Sequence, residues 1–302
     1  MNKWFISIFL TLGLLLKASI ALADLETVTA SEANVATCAS TITSLTPCVT
    51  TPRYYRIYVY EMGLCNNVLG ANPNTANSAS PMYWRNNCVK TYDAGATPQT
   101  VIIENNVSSA LPEAYEIEPV NGTYTHGYVL LRNQIDVKGY QTFHKSLDVA
   151  GWGGSGGDDN GTTNTVCWTA GNSTTNCGTE VNNATYDYNS TTIGNLGDGG
   201  NCTGVTNFHC TYYSLGDAGD GLDPTHAFML DSSLALETSN GSDVAYLLGI
   251  ASFRSLKTKN NDTTQYEVQF KVTRGMTVNG NGSSPTNIGL WLTEFKTITN
   301  LR

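Results

Sequence analysis

The sequence predicts an all-β protein, an antiparallel β-sandwich of the meander or Greek-key type held together by disulfides. Short segments in which apolar and polar residues alternate recur along the chain, separated by Gly- and Asn-rich turns. The polar positions are dominated by Asn, Thr, Ser and Gly, which have low helix propensity. After the first 23 residues no segment has the apolar spacing of an amphipathic helix.

Residues 1–23 have the features of a signal peptide and are not expected to belong to the fold. Lys3 gives a basic start, residues 4–16 are apolar, and residues 21–23 read Ala-Leu-Ala, a cleavage site before Asp24. The alternative is an N-terminal membrane anchor, but Lys17 interrupts the apolar run. We therefore expect a secreted protein, extracellular or at the cell surface, without a later transmembrane segment.

The charge balance limits the class of partner. The chain has 25 acidic and 16 basic residues, a net charge of −9 that becomes −11 when Lys3 and Lys17 leave with the signal peptide. A chain this acidic, without a cluster of basic residues in its sequence, is not expected to bind nucleic acid by neutralising phosphates.

The cysteines predict disulfides, because their number is even and the chain is expected to be exported. No C-x-x-C pair or Cys/His cluster at ligand spacing suggests zinc. Clustering along the chain favours pairing between neighbours. The predicted pairs are Cys38 with Cys48, Cys65 with Cys88, Cys167 with Cys177, and Cys202 with Cys210.

Residues 24–52 form a polar N-terminal extension with weak strand alternation. We expect this extension to supply a pairing strand, either to its own sheet or to a neighbouring subunit, which would give a homo-oligomer. The β-sandwich domain is predicted to occupy residues 53–302.

The strongest strand signal lies at residues 53–65. Tyr55, Ile57 and Val59 alternate with a second set that is mostly aromatic, so both faces carry bulk. The pattern predicts an inner strand with a tyrosine-lined second face, whose far end is fixed by a disulfide at Cys65. The second set is Tyr54, Arg56, Tyr58, Tyr60 and Met62.

Four further features complete the predicted fold. A hairpin is expected to join residues 113–120 to residues 123–137 through Asn121-Gly122, a dipeptide that suits a type I′ turn. The Gly-, Asn- and Thr-rich residues at about 150–204 are predicted to form a loop insertion, although a linker between two β units is the alternative. From residue 205 onward successive strands predict a meander, and Gly249 predicts a β-bulge.

One acidic loop has the composition of a cation site. Asp217, Asp220 and Asp223 surround Gly221 at regular spacing, and Ca²⁺ accepts six to eight oxygen ligands from irregular loops. The alternative is an ordinary acidic turn that ends at Pro224. No other cofactor is expected.

Catalytic patterns are weak. Glu116 and Glu118 would share one face of a strand, as the paired carboxylates of a glycoside hydrolase require. Residues 153–157 match G-x-S-x-G but lack the preceding strand and following helix. The histidines are scattered along the chain, at His126, His144, His209 and His226.

Three functions follow from these observations, in decreasing order of preference. The first is a non-enzymatic structural subunit of an extracellular assembly, such as a pilus-like filament or a surface layer. The second is an adhesin or carbohydrate-binding module that stacks Trp84, Trp152 and Trp168 on a glycan. The third is a hydrolase that uses Glu116 and Glu118.

Overall fold

The computed structural model confirms the all-β, antiparallel class and shows curled sheets, with two disulfides that join pairs of described cysteines. The residues that the structure describes are 41–42, 48–66, 88–104, 109–144, 164–193, 201–202, 209–212, 225–237, 243–259, 266–271, 275–280, 288–292 and 296–301.

These residues form nineteen strands. A 3₁₀ turn, Glu113–Tyr115, is also present, and no helix in the described ranges is long and apolar enough to cross a membrane. The strands are β1 Thr41–Ile42, β2 Cys48–Thr50, β3 Tyr54–Cys65, β4 Cys88–Asp93, β5 Gln99–Glu104, β6 Gly122–Arg132, β7 Ile135–Lys138, β8 Tyr140–His144, β9 Asn164–Thr169, β10 Thr175–Gly178, β11 Asn189–Thr191, β12 Asn201–Cys202, β13 His209–Tyr212, β14 Thr225–Leu230, β15 Tyr246–Lys259, β16 Tyr266–Lys271, β17 Met276–Gly280, β18 Ile288–Leu292 and β19 Lys296–Leu301.

The largest sheet has ten strands, and β3 lies at its centre. Its main path is β11-β7-β3-β6-β15-β14-β13-β12, and β4 and β5 also pair with β3. The first half of β3 lies between β5 and β7, whereas the second half lies between β4 and β6, all antiparallel. The sequence prediction of an inner strand is confirmed.

Burial along β3 follows the predicted alternation and then departs from it. Tyr55, Ile57 and Val59 are buried in the main core cluster. An irregularity against β6 lies between Val59 and Glu61, so Glu61 points to the same face as the even-numbered residues before it. Buried Glu61 accepts a hydrogen bond from Tyr128 at 2.5 Å and pairs with Lys90 at 2.9 Å.

A second layer packs on the face of β3 that carries Tyr55. This layer is the small sheet β18-β17-β2. The Tyr55 hydroxyl donates a hydrogen bond to the Gly275 carbonyl at 2.6 Å, just before Met276 begins β17. A Cβ at Gly275 would lie 1.6 Å from that hydroxyl, so only glycine permits this contact between the layers.

The predicted insertion contributes ordered strands where the structure describes it. β9 and β10 extend a four-stranded sheet of order β1-β8-β9-β10, and β11 joins the large sheet beside β7. Within the described residues 164–193 the insertion is therefore part of the sheets rather than loop alone.

The predicted hairpin around Asn121-Gly122 is wrong. Gly122 begins β6, which pairs with β15 along its length and with β3 from His126 onward, and residues 116–121 are not in a strand. Residues 113–115 form the 3₁₀ turn, and the chain that follows is extended. Glu116 in this extended part pairs with Tyr92 through an isolated antiparallel β-bridge. Pro112 and Pro119, which lack N–H groups, also disfavour a strand there.

The predicted meander is correct only from β12 to β15, whose neighbours pair in order. Beyond β15 the strands do not all pair in sequence order. β17 pairs with β18, whereas β16, which precedes them, pairs with β19, which follows them. The predicted bulge at Gly249 is also wrong. Gly249 keeps regular register with both neighbouring strands, and the irregularity falls between Ser252 and Lys257.

Two predicted disulfides are present in the structure. Cys65 bonds to Cys88, and Cys167 bonds to Cys177, each pair lying directly opposite in adjacent antiparallel strands. Cys48 is also disulfide-bonded, and its predicted partner Cys38 lies outside the described residues. Cys202 and Cys210 are register partners on β12 and β13, and their bond stays a prediction.

Part of the N-terminal extension pairs with its own chain. β1 runs parallel to β8, and β2 runs antiparallel to β17. Residues 24–35, for which pairing with another subunit is predicted, lie outside the described residues.

Candidate functional site

One face at the end of the large sheet differs from the rest of the protein in chemistry. There the strand order is β5-β3-β7-β11. One side of these strands is buried against the core, and the other carries tyrosines, cations and a carboxylate. This second side, which we call the tyrosine face, consists of Arg53, Tyr54, Arg56, Tyr58, Ile102, Glu104, Arg132, Gln134, Asp136, Lys138, Tyr186, Tyr188 and Ser190.

Strand register assembles the tyrosine face. Arg56 on β3 is opposite Ile102 on β5 and Asp136 on β7, and Asp136 is opposite Ser190 on β11. Residues directly opposite in antiparallel strands point to the same side, so one row of side chains crosses all four strands. The outer residue of this row, Ile102, is 48% exposed.

Asp136 is the buried centre of the face, with a fully inaccessible side chain. It accepts hydrogen bonds from Arg56 Nε at 2.6 Å, from the Tyr58 hydroxyl at 2.7 Å and from Gln134 at 2.9 Å. Burial alone would raise the pKa of Asp136, but hydrogen bonds from Gln134, Tyr58, Arg56 and Ser190 outweigh it and hold the pKa below the ordinary 3.8.

Cations lie over the tyrosine rings. The Arg56 guanidinium carbon is 4.1 Å from the centroid of the Tyr188 ring, and Lys138 Nζ is 4.4 Å from that of Tyr186. Both distances are within the range of a favourable cation–π interaction. At the two ends of the face, Arg53 lies over Tyr54 at 5.3 Å and Arg132 over Tyr58 at 5.5 Å.

Three of these cations lack a close carboxylate. Among the described residues, Arg53, Arg132 and Lys138 form no ion pair within 4.0 Å, whereas Arg56 pairs with Asp136. Glu104 and Asp187 are the nearby acidic groups, and Glu104 acts on Arg53 only at longer range. The tyrosine face therefore presents positive charge on a chain whose net charge is −9.

Tyr186 lies at one corner of the tyrosine face, below Lys138. Its hydroxyl is buried and has no hydrogen-bond partner among the described residues. Burial raises the pKa of Tyr186 to about 12, so the phenol stays protonated at ordinary pH. A buried hydroxyl without a partner costs on the order of 1–3 kcal/mol of folding stability, so the fold does not depend on this hydroxyl.

The geometry suits binding rather than proton transfer. Ring surfaces, guanidinium groups and hydroxyls are held in place by hydrogen bonds to Asp136, which is itself covered by them. Tyr and Arg are the side chains enriched at the energetically important centres of protein interfaces.

The predicted hydrolase pair is not placed in a cleft. Glu116 and Glu118 are both exposed, and the predicted strand that would align them is absent, because Glu116 closes the 3₁₀ turn. The G-x-S-x-G segment at residues 153–157 lies outside the described residues. His126 is buried on β6 and hydrogen-bonded to Thr125 at 2.7 Å, and the other three histidines occupy strand positions on β8, β13 and β14.

The predicted sugar-stacking role of Trp168 is wrong. Its side chain is 4% exposed, and its indole N–H donates to Thr185 Oγ1 at 3.1 Å. The cause is the position of β9 between β8 and β10, with Gly178 of β10 against the indole ring. Trp84 and Trp152 lie outside the described residues.

The predicted calcium ligands Asp217, Asp220 and Asp223 also lie outside the described residues, so the calcium site stays a prediction. Within the described ranges no group of three or more His, Cys, Asp or Glu side chains is placed to hold a metal ion.

Sequence patterns predicted only part of the tyrosine face. Alternation along β3 predicted Tyr54, Arg56 and Tyr58 on one side. Asp136 on β7 and Tyr188, which directly precedes β11, lie more than 75 residues away in the sequence. A signal was present in Tyr186-Asp-Tyr188, whose two tyrosines flank one residue and so share a side in an extended segment. The Gly- and Asn-rich composition around it obscured that signal.

Comparison of the chain with protein-family models, curated proteins and solved structures gave no match.

Proposed function

We propose that this protein is a secreted structural subunit of an extracellular assembly, a filament or surface layer, and that the tyrosine face is an assembly interface. The observation that supports the proposal is a partly exposed sheet surface built from tyrosines and cations and ordered around buried Asp136. Such a surface is unusual on a strongly acidic chain.

The ordered side chains favour association. Binding usually costs about 0.5–1.5 kcal/mol for each flexible side chain that it immobilises. Arg56 and Tyr58 are already held by Asp136, and Tyr188 lies against Arg56, so much of that ordering has taken place before a partner arrives. Because tyrosine rings are large and rigid, the same surface excludes water over a wide area.

An extracellular location agrees with the covalent structure. Cross-strand disulfides such as Cys65–Cys88 form and persist in oxidising compartments and are rare in the cytosol. Together with the predicted signal peptide, they support secretion. A low content of charged residues, 14%, suits a surface that packs repeatedly against copies of itself.

Electron microscopy of the mature protein tests this function. We expect ordered filaments or sheets from the purified protein, and the same objects on the cells that produce it. Reversal of two charges on the tyrosine face by Arg132→Glu with Lys138→Glu should abolish them. A wild-type protein that stays monomeric at every concentration would contradict the proposal.

The second candidate is a carbohydrate-binding module. The observation in its favour is that Tyr58 and Tyr188 lie beside the polar groups of Gln134 and Asp136, since sugars bind through stacking and hydrogen bonds together. Cations already lie over three of the rings, which leaves less free ring surface for a sugar. Specific binding on a glycan array, lost in Tyr188→Ala, would favour this candidate.

A further inference from the structure

We propose that the tyrosine face binds the acidic N-terminal segment, residues 24–35, of a second copy of this chain. This inference rests on the proposed assembly function and names the segment that occupies the interface. It is supported by charge complementarity, by spacing and by the directionality that such a contact would give.

Charge complementarity is the first support. Residues 24–52 contain Asp24, Glu26 and Glu32 and no Lys, Arg or His. On the tyrosine face, Arg53, Arg132 and Lys138 form no ion pair within 4.0 Å among the described residues. Opposite charge at the edge of an interface guides encounter and fixes register.

The pattern of the segment is the second support. Asp24, Glu26 and Glu32 are separated by even numbers of residues, so in an extended strand all three carboxylates point to one side. Val28 lies on that same side, between the acidic residues. Ile102 is exposed and lies in the same cross-strand row as Arg56 on the tyrosine face. In the proposed complex it provides an apolar contact for Val28.

The spacing of the charges is compatible with a single extended segment. Glu26 and Glu32 are about 20 Å apart in a strand, at about 3.3 Å per residue. On the face, Arg53 lies over Tyr54 and Arg132 over Tyr58. These two tyrosines are about 13 Å apart along β3 by the same rise, and the long Arg and Glu side chains span the difference.

The contact also has a direction. A segment of one copy meets a different surface on the next, which is a head-to-tail contact and gives an open filament unless the rotation closes a ring. Residues 24–35 precede the first cysteine, Cys38, and the described part of the extension pairs with its own chain only at β1 and β2.

Charge-reversal variants of the full chain test the inference. The face variant is Arg132→Glu with Lys138→Glu, and the segment variant is Glu26→Lys with Glu32→Lys. The matched control, Lys271→Glu with Lys296→Glu, reverses as many charges at partner positions on β16 and β19, in the separate two-stranded sheet. Melting temperatures within a few degrees of the wild type establish that each variant is folded.

We expect the face variant and the segment variant each to be monomeric by light scattering, while the control assembles as the wild type does. When the two monomeric variants are mixed, they should assemble together with the two chains alternating, because the intact segment of the first matches the intact face of the second and the reversed segment of the second matches the reversed face of the first. Combining all four reversals in one chain should restore assembly, because the charges are complementary again. Wild-type assembly should also weaken as salt rises.

Three outcomes would overturn the inference. The first is assembly of the face or segment variant at wild-type concentration, which would leave the assembly function standing with another contact. The second is a folded segment variant that stays monomeric when mixed with the face variant, which would show that the segment and the tyrosine face do not bind each other. The third is a wild-type protein that never assembles, which would remove the proposed function as well.

Discussion

At the scale of single residues, Asp136 organises the tyrosine face. Its side chain is inaccessible to solvent and accepts hydrogen bonds from Arg56, Tyr58 and Gln134. Removing one member of a buried ion pair commonly costs about 3–5 kcal/mol, because the other charge loses its partner. Asp136 therefore governs both the stability of this end of the sheet and the order of the binding surface.

The first prediction concerns pH. Because the pKa of Asp136 in the folded protein is below 3.8, its carboxylate stabilises the fold above pH ~4, and that contribution is lost as pH falls through the lowered folded pKa. Asp136→Asn should lower the free energy of unfolding near neutral pH by about 3 kcal/mol and reduce the loss of stability in acid. Urea unfolding of both proteins at several pH values measures this. A variant with an unchanged acid dependence would contradict the assignment.

The second prediction compares two tyrosine hydroxyls. Tyr58→Phe removes a hydrogen bond to a buried carboxylate and should cost about 1.5–3 kcal/mol. Tyr186→Phe removes a buried hydroxyl that has no partner among the described residues, so it should be neutral or slightly stabilising. Thermal unfolding of the pair is the measurement. Equal destabilisation by both substitutions would show that the Tyr186 hydroxyl is bonded in solution.

At the scale of elements, β3 joins the two layers of the fold and is itself fixed at both ends. Tyr55 near its start contacts Gly275 before β17, and Cys65 at its end is bonded to Cys88 on β4. These contacts connect residues that are far apart in the sequence, and they hold the rigid strand from which the tyrosine face projects.

The third prediction concerns the contact between layers. Gly275→Ala places a methyl group where the Tyr55 hydroxyl lies and should destabilise the protein by about 3 kcal/mol. Combining it with Tyr55→Phe, which removes that hydroxyl, should cost less than the sum of the two single substitutions, because the sites are in direct contact. Denaturant unfolding of the three variants completes the double-mutant cycle. Strict additivity would contradict the described packing.

The fourth prediction concerns the disulfides. A disulfide lowers the conformational entropy of the unfolded chain, and it does so more when the loop that it closes is longer. The Cys65–Cys88 pair is separated by 23 residues and the Cys167–Cys177 pair by 10. Replacing Cys65 and Cys88 by Ala should cost about 3.4 kcal/mol, against about 2.7 kcal/mol for Cys167 and Cys177. Unfolding midpoints of the two double variants under oxidising conditions test this order. The reverse order would show that local packing outweighs chain restriction.

At the scale of the whole molecule, the sequence predicted the features that depend on local pattern. The all-β class, the inner strand β3 and the Cys65–Cys88 pair follow from alternation and spacing within short stretches. The hairpin at Asn121-Gly122 failed because a turn signal does not reveal that β15 pairs along β6 and that β3 occupies its other edge from His126 onward.

The tyrosine face shows the same limit. Tyr54, Arg56 and Tyr58 could be placed on one side of a strand from the sequence alone. Asp136 and Tyr188 reach them only through pairing of β3 with β7 and of β7 with β11, which no local pattern specifies. A polar aromatic surface assembled from three distant segments was therefore visible only in the folded protein.

Hydroxyl-radical footprinting of the assembled and the dissociated protein tests the central claim most directly, because it reports the solvent exposure of individual tyrosines. Assembly should strongly reduce the oxidation of Tyr54, Tyr58 and Tyr188 on the tyrosine face. Tyr115, which is 37% exposed on the 3₁₀ turn outside that face, serves as the internal control and should be oxidised equally in both states. Unchanged oxidation of the three face tyrosines on assembly would contradict the account.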